Sequence, residues 1–380
     1  MSRQNKNTLS YVILGMVIVL TLILMAILIR GDRQVVINNN MTPIETTTEP
    51  IAEVNGTKLF GGWVDDAEGR EAIKSRLATV YFGDTPSYRA MQGDDDKDVL
   101  LTDYAKEALG RWIPNRNQLD VGSCVSFAVV DAVEHLLCVQ MVEALRAGQP
   151  PPTSFKDLAQ EVVYGGSRVE IGGGRVRGDG SIVAWAAEWS KSRGQVPRGV
   201  YGNYDLTNYS TKICREFGNR GIPDDLENVA RLSPVKGITF VRNADEAWKA
   251  IGQRYPIAIG SIVGFTGSDG NLGRDANGFL RESGRWGHAM SIVGRATVNG
   301  QKAFLFKNSW GDAVHRGGKG GKNIPDSGCF FVRYATVDKM CREGDAIAFS
   351  DAVGFPARPL IWVRHKIEDI NVDNIPVLHP

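Results

Sequence analysis

Between Asn7 and Ile29 the chain carries no charged side chain, and Leu9–Ile29 (LSYVILGMVIVLTLILMAILI) is almost wholly apolar. At about 1.5 Å per residue this run reaches about 31 Å as a helix, close to the roughly 30 Å of hydrocarbon in a bilayer. Buried helices of soluble domains rarely run so far without a polar face. The run passes straight into Arg30-Gly31-Asp32-Arg33, whereas a cleaved signal peptide has a shorter apolar core and a small-x-small site. A short tail (1–8) and a single transmembrane helix (9–29) are therefore expected, with the lipid bilayer as a partner. Arg3, Lys6 and the amino terminus precede the span, and Arg30 and Arg33, offset by Asp32, follow it. That bias favours the N-terminus inside and the rest of the chain on the extracytoplasmic side.

The remaining residues exceed one average domain, so a bilobed unit with an N-terminal extension is the natural partition. With 44 basic and 43 acidic side chains the net charge is +1, which supplies no field for nucleic acid or an acidic substrate. Residues 30–54 include Val35–Val54, rich in Asn, Thr and Pro and without periodicity, and read as a stalk. Residues 55–105 read as an N-terminal extension or short pro-segment, with a helical stretch near Ala67–Thr79 and an exposed acidic linker, Gly93–Asp98. Three triplets beginning at Asn40, Asn55 and Asn208 fit the glycosylation acceptor pattern, which is short enough to recur by chance. The five cysteines contain no C-x-x-C pair, so no metal or other cofactor is expected. Their odd number fits one free nucleophile with up to two disulfides, or else buried thiols.

Three stretches carry chemistry. In Gln118-Leu-Asp-Val-Gly122-Ser123-Cys124-Val-Ser-Phe127-Ala128 a Gly-Ser turn leads into an apolar helix, so Cys124 opens that helix. Unpaired backbone N–H groups and the helix dipole at that position favour a thiolate. Trp286-Gly287-His288-Ala289-Met290 places an imidazole at the head of a strand-like run, and Lys302–Gly311 is a second apolar strand that ends in Asn308 and Trp310. A turn at Asn299-Gly300 makes the two strands antiparallel neighbours, which brings Asn308 to His288. The amide oxygen can then hold the imidazole in one tautomer.

In composition, spacing and chain order these stretches resemble the papain family of cysteine peptidases (papain/cathepsin type), here as a membrane-anchored variant, over about Trp112–Ser350. The resemblance implies a two-lobed α+β fold, helical lobe plus β-barrel-like lobe, over 106–355, with a C-terminal tail of 356–380. It implies a catalytic set of Cys124 as nucleophile, His288 as general acid/base and Asn308 as orienting amide. Gln118, six residues before Cys124, would share the oxyanion hole with the Cys124 N–H, and Trp310 would shield the His–Asn pair. Gly178 and Gly180 correspond to peptide-binding backbone, and the expected partner is a peptide or protein substrate, hydrolysed without a cofactor.

The chain departs from the family pattern at Val125, commonly tryptophan, and at Val121, commonly a disulfide cysteine. Residues 55–105 are shorter than the family's helical pro-segment, and Asp312–Gly321 forms a glycine-rich basic insertion. Among other candidates, His135 lies about 16 Å along the helix from Cys124, too far to be the base. His315, His365 and His379 lack metal spacing, and Gly172–Gly174 lacks the phosphate-loop pattern and reads as a mobile loop. Trp185 and Trp189 suit a buried helix stripe. The rival to a hydrolase is a tethered interaction protein that keeps the fold without turnover.

Overall fold

The computed structural model describes residues 42–47, 49–54, 56–91, 97–151, 154–265, 275, 277–312, 314 and 320–358. The expected membrane helix 9–29, most of the acidic linker and His315, His365 and His379 lie outside the described residues. Naming only the elements used below, the chain runs through α1 (Ala67–Lys74), β1 (Val99–Leu100), α2 (Leu101–Leu109), α3 (Cys124–Arg146), α4 (Gln160–Gly166) and α5 (Val183–Ser192). It continues through α6 (Thr211–Arg220), β2 (Gly237–Phe240), α7 (Ala244–Gly252), β3 (Ile257–Val263), β4 (Arg285–Val298), β5 (Gln301–Lys307), β6 (Cys329–Arg333), α8 (Tyr334–Cys341) and β7 (Ala346–Ser350).

Two lobes follow from two apolar clusters. One gathers α3 to α6 around Val129, Val162, Trp185, Trp189 and Phe217; the other gathers the sheet, α7 and α8 around Trp248, Phe304, Phe306 and Phe330. The helix α3 is apolar on all sides because it is packed on all sides. Among the described residues it alone is long and apolar enough to cross a membrane, yet it lies inside the protein.

The sheet is antiparallel in the order β6-β5-β4-β3-β7-β2, with β1 added to β4. Its strands are buried along most of their length because both faces are covered. Ile257, Ile259, Met290 and Ala348 face the β-lobe core, while the intervening Ala258, Ala289, Ile347 and Phe349 face α3 and the helical lobe. One sheet thus mates the two lobes. The described strands form an open path rather than a closed barrel: its two ends, β6 and β2, do not pair with each other, and β2 is instead bridged at Phe240 to Tyr81.

Position 106 falls inside α2, and β1 pairs with Gly294 and Arg295, so residues before 106 are folded into the sheet. The end of the expected stalk is folded: Ile44–Glu45 pairs with Val176–Arg177, and Ala52–Val54 forms a hairpin with Thr57–Leu59. At the other end, Arg358 bonds Glu143 and Asp351, which anchors the chain through that residue. Gly172–Gly174 is a hydrogen-bonded helix stop rather than a free loop, with each N–H donating to a carbonyl of residues 167–169. All five cysteines are buried free thiols, so the disulfides allowed by their number are absent.

Candidate active site

Asn299 and Gly300 have φ of 48° and 74°, and Val298 pairs with Gln301. A two-residue turn with both φ positive matches the twist of the flanking strands. It sets the pairing from Val298–Gln301 to Gly294–Leu305, a bulge at Val293 then shifts it by one to Ser291–Lys307, and His288, still paired with Ser261 of β3, meets Asn308 just past the end of β5. His288 Nε2 lies 2.7 Å from Asn308 Oδ1, which also accepts the Ser309 N–H at 2.7 Å. Since an amide oxygen only accepts, Nε2 carries the proton and Nδ1 is the basic nitrogen. Nδ1 is buried without a hydrogen-bond partner. Trp310 stacks on the imidazole with centroids 4.4 Å apart, and Trp286 meets it edge-on at 5.7 Å.

Cys124 is the first residue of α3, behind Ser123, whose side chain bonds Tyr209 and does not cap the helix. The sulfur receives backbone N–H groups of Ala289, Val125 and Trp63. Ala289 directly follows His288, so helix α3 and strand β4 deliver thiol and imidazole to one cleft between the lobes. Beneath them a buried ion pair joins Lys307 to Asp131, with Ser291 donating to the same carboxylate. Burial raises the Asp131 pKa, but Lys307 and His135 lower it further and hold the carboxyl ionised.

The cleft is occupied by the chain itself. Phe60–Val64 crosses it as a strap: Phe60 O accepts from Trp310 Nε1 at 3.0 Å, Gly62 N–H donates to Gly287 O at 3.1 Å, and Gly62 O accepts from Ser181 N–H at 2.8 Å. Val64 N–H donates to Ser181 O at 3.0 Å, and Trp63 pairs in parallel with Ser181. The passage is so close that a Cβ on Gly62, at φ +148°, would stand 2.0 Å from Gly122 O; one on Gly287 would stand 2.1 Å from Trp63 O. Only glycine fits there.

Burial dominates the protonation equilibria of the site. Burial pushes the Cys124 thiol up to about 12 against the lowering by four backbone N–H groups, those of Ala289, Val125, Trp63 and Cys124 itself. Burial lowers His288 to about 4, against the hydrogen bond to Asn308, which raises it. Burial under the strap thus favours neutral thiol and neutral imidazole, against the thiolate that the local N–H groups at the helix start favour.

The chain is similar to solved structures of cysteine proteases. Xylellain, a cysteine protease from Xylella fastidiosa, matches with a TM-score of 0.47 and 16% identity over 76% of this chain and 95% of that one. The Amb a 11 cysteine protease, a ragweed pollen allergen in its proform, gives 0.45 and 17% over 79% and 77%. Digestive procathepsin L 3 of Tenebrio molitor gives 0.44 and 18% over 75% and 79%. No family model and no curated protein matches the chain.

Cys124, His288, Asn308, Gln118 and Trp310 all converge on the cleft, and two expectations change in detail. Gln118 Nε2 donates to Val121 O at 2.9 Å and to the strap carbonyl of Gly61 at 3.3 Å, while its Oε1 accepts from Ser309 Oγ. Gly178 and Gly180 do not pair with the chain in the cleft: Gly180 N–H donates to Tyr164 Oη, and both carbonyls accept from Arg168. Ser181 forms that pairing instead, and Gly180 serves by lacking a Cβ that would stand 2.7 Å from Gly62 O. His135 is a buried packing residue whose Nδ1 lies 2.8 Å from Asp131 O. Trp185 and Trp189 are buried in α5. Sequence reasoning missed the strap and Asp345, which accepts the Trp63 indole N–H; the doublet Gly61-Gly62 beside a tryptophan was the available signal.

Proposed function

We propose that this chain is a papain-like cysteine endopeptidase whose cleft is held shut by residues 60–64. The single observation that carries the reading is the His288 Nε2–Asn308 Oδ1 bond of 2.7 Å, which leaves Nδ1 as the base in the same cleft as Cys124. With the strap displaced, water returns and the burial that holds thiol and imidazole neutral falls. Nδ1 then takes the thiol proton, Cys124 Sγ attacks the scissile carbonyl, and the imidazolium protonates the leaving amine. A water deprotonated by the same nitrogen hydrolyses the thioester. The Gln118 amide, which now donates to Gly61 O, is released to share the oxyanion with the Cys124 N–H. Trp310 keeps water from the His–Asn pair, and residues 9–29 tether the domain to a bilayer on its extracytoplasmic side.

A fully buried thiol favours a second reading, a latent fold that never opens. An epoxysuccinyl probe separates the two on the Gly62→Ala chain, in which the strap cannot seat. Labelling at Cys124, lost on adding Cys124→Ala, is the expected result; an unlabelled Gly62→Ala chain overturns the hydrolase.

A further inference from the structure

The strap shows what the cleft is shaped to hold. Trp63 is 5% exposed, and its indole N–H donates to Asp345 Oδ2 at 2.5 Å, across 282 positions of sequence. Room for the ring exists because residue 260 is glycine: a Cβ there would stand 2.1 Å from the indole Cδ1. Ala258 and Ala289 belong to the apolar cluster around the ring. The pocket is therefore apolar along its sides and ends in one carboxylate, on which the charge of the buried Arg70 also acts.

That carboxylate is fixed in place before anything binds it. Asp345 follows α8 and begins the approach to β7, and it is fully buried. Its Oδ2 accepts the Val183 N–H at 2.8 Å and its Oδ1 the Ala184 N–H at 3.0 Å, both from the first turn of α5. The helix end holds the carboxylate, while the third donor, the indole, comes from the strap alone. The pairing is not a general demand of indoles in this protein, since the Nε1 atoms of Trp185, Trp189 and Trp286 are buried without partners.

We propose that Asp345 is the specificity-determining residue of the cleft. Once the strap leaves, the pocket that Trp63 vacates takes a peptide side chain with an N–H at its tip, an indole or a guanidinium, and rejects an all-carbon one. The inference rests on reading the cleft as a peptide-binding site. A phenylalanine or leucine fills the walls but leaves the buried Oδ2 without its third donor, and sites built around a hydrogen bond reject analogues that lack it most strongly. A guanidinium adds charge to the same bond.

The test is binding, so it does not depend on turnover. The full chain carrying Cys124→Ala and Gly62→Ala is titrated, by fluorescence polarisation, into labelled pentapeptides Phe-Gly-Gly-X-Val with Trp, Arg, Phe or Leu at X. The Trp and Arg peptides are expected to bind about 10- to 100-fold tighter than the Phe and Leu peptides. Adding Asp345→Asn should collapse that gap while leaving the Phe peptide's affinity unchanged, which also reports an intact pocket. If that variant misfolds, the Trp-to-Phe ratio in the parent chain decides alone. Equal affinities for Trp and Phe, a gap that survives Asp345→Asn in a folded protein, or no binding by any peptide overturns the inference. Failure of Cys124 labelling would instead remove the hydrolase and leave this result standing.

Discussion

Acid should open the strap, and the size of the effect follows from His288. Its pKa under the strap is lowered to about 4, chiefly by burial, against an ordinary value of 6.5. A folded pKa below the open-state value means that the closed form is favoured above pH 6.5 and loses that advantage as pH falls toward 4. The full difference is worth about 3 kcal/mol if the open imidazole regains its ordinary pKa. Between pH 7.5 and pH 4.5 the open population should rise about 70-fold. Asp345, which faces the strap from beside β7, has its pKa raised by burial and so pulls the other way. The His288→Gln chain isolates the imidazole's share. The assay is hydrogen exchange at the Gly62 and Val64 amides, which donate to Gly287 O and Ser181 O, with protection factors corrected for the intrinsic pH dependence. The β5 amides of Phe304 and Phe306, deep in the sheet, report global unfolding. Protection at Gly62 and Val64 should fall in acid in the native chain, stay nearly flat in His288→Gln, and remain unchanged at β5. An equal fall in both chains, or none in the native chain, would refute the linkage between imidazole burial and strap closure.

Gly62→Ala should expose the thiol at neutral pH without touching a catalytic group, because its Cβ meets the Gly122 carbonyl; the rate of Cys124 alkylation should rise at least tenfold, within the 1–3 kcal/mol typical of overpacking. Asn308→Ala removes the acceptor that orients the His288 ring, and in a strap-displaced chain it should lower kcat about 100-fold with little change in KM. Lys307→Met removes the lysine from the buried Asp131 carboxylate, leaving it with His135 and Ser291, and should cost about 3 kcal/mol of stability, read as a lowered urea midpoint.

Much of the site is legible because it is local. The Asn299-Gly300 turn demands positive φ at both residues, which fixes the β4–β5 pairing as far as Gly294–Leu305; the bulge at Val293, which the turn does not dictate, completes the register that brings His288 to Asn308. Gly122-Ser123 before an apolar run starts α3 at Cys124. Both depend on residues a few positions apart, where backbone sterics and hydrogen-bond reach decide the outcome. The glycines of the cleft wall were harder to assign: Gly180 and Ser181 are neighbours, and only the direction in which each peptide faces separates a spacer from a partner.

The amino-acid order alone determined the helix that begins at Cys124, the hairpin that carries His288 and Asn308, and an apolar run long enough for a bilayer. Tertiary structure alone decided that Gly61-Gly62-Trp63 lies over the thiol, that Asp345 receives the indole, and that burial pushes the thiol's pKa up against its N–H neighbours. Each of these is set by groups brought together from distant parts of the chain, including residues 62, 122, 181, 287 and 345. The cost of desolvating a charge depends on everything packed around it, and no local spacing records that.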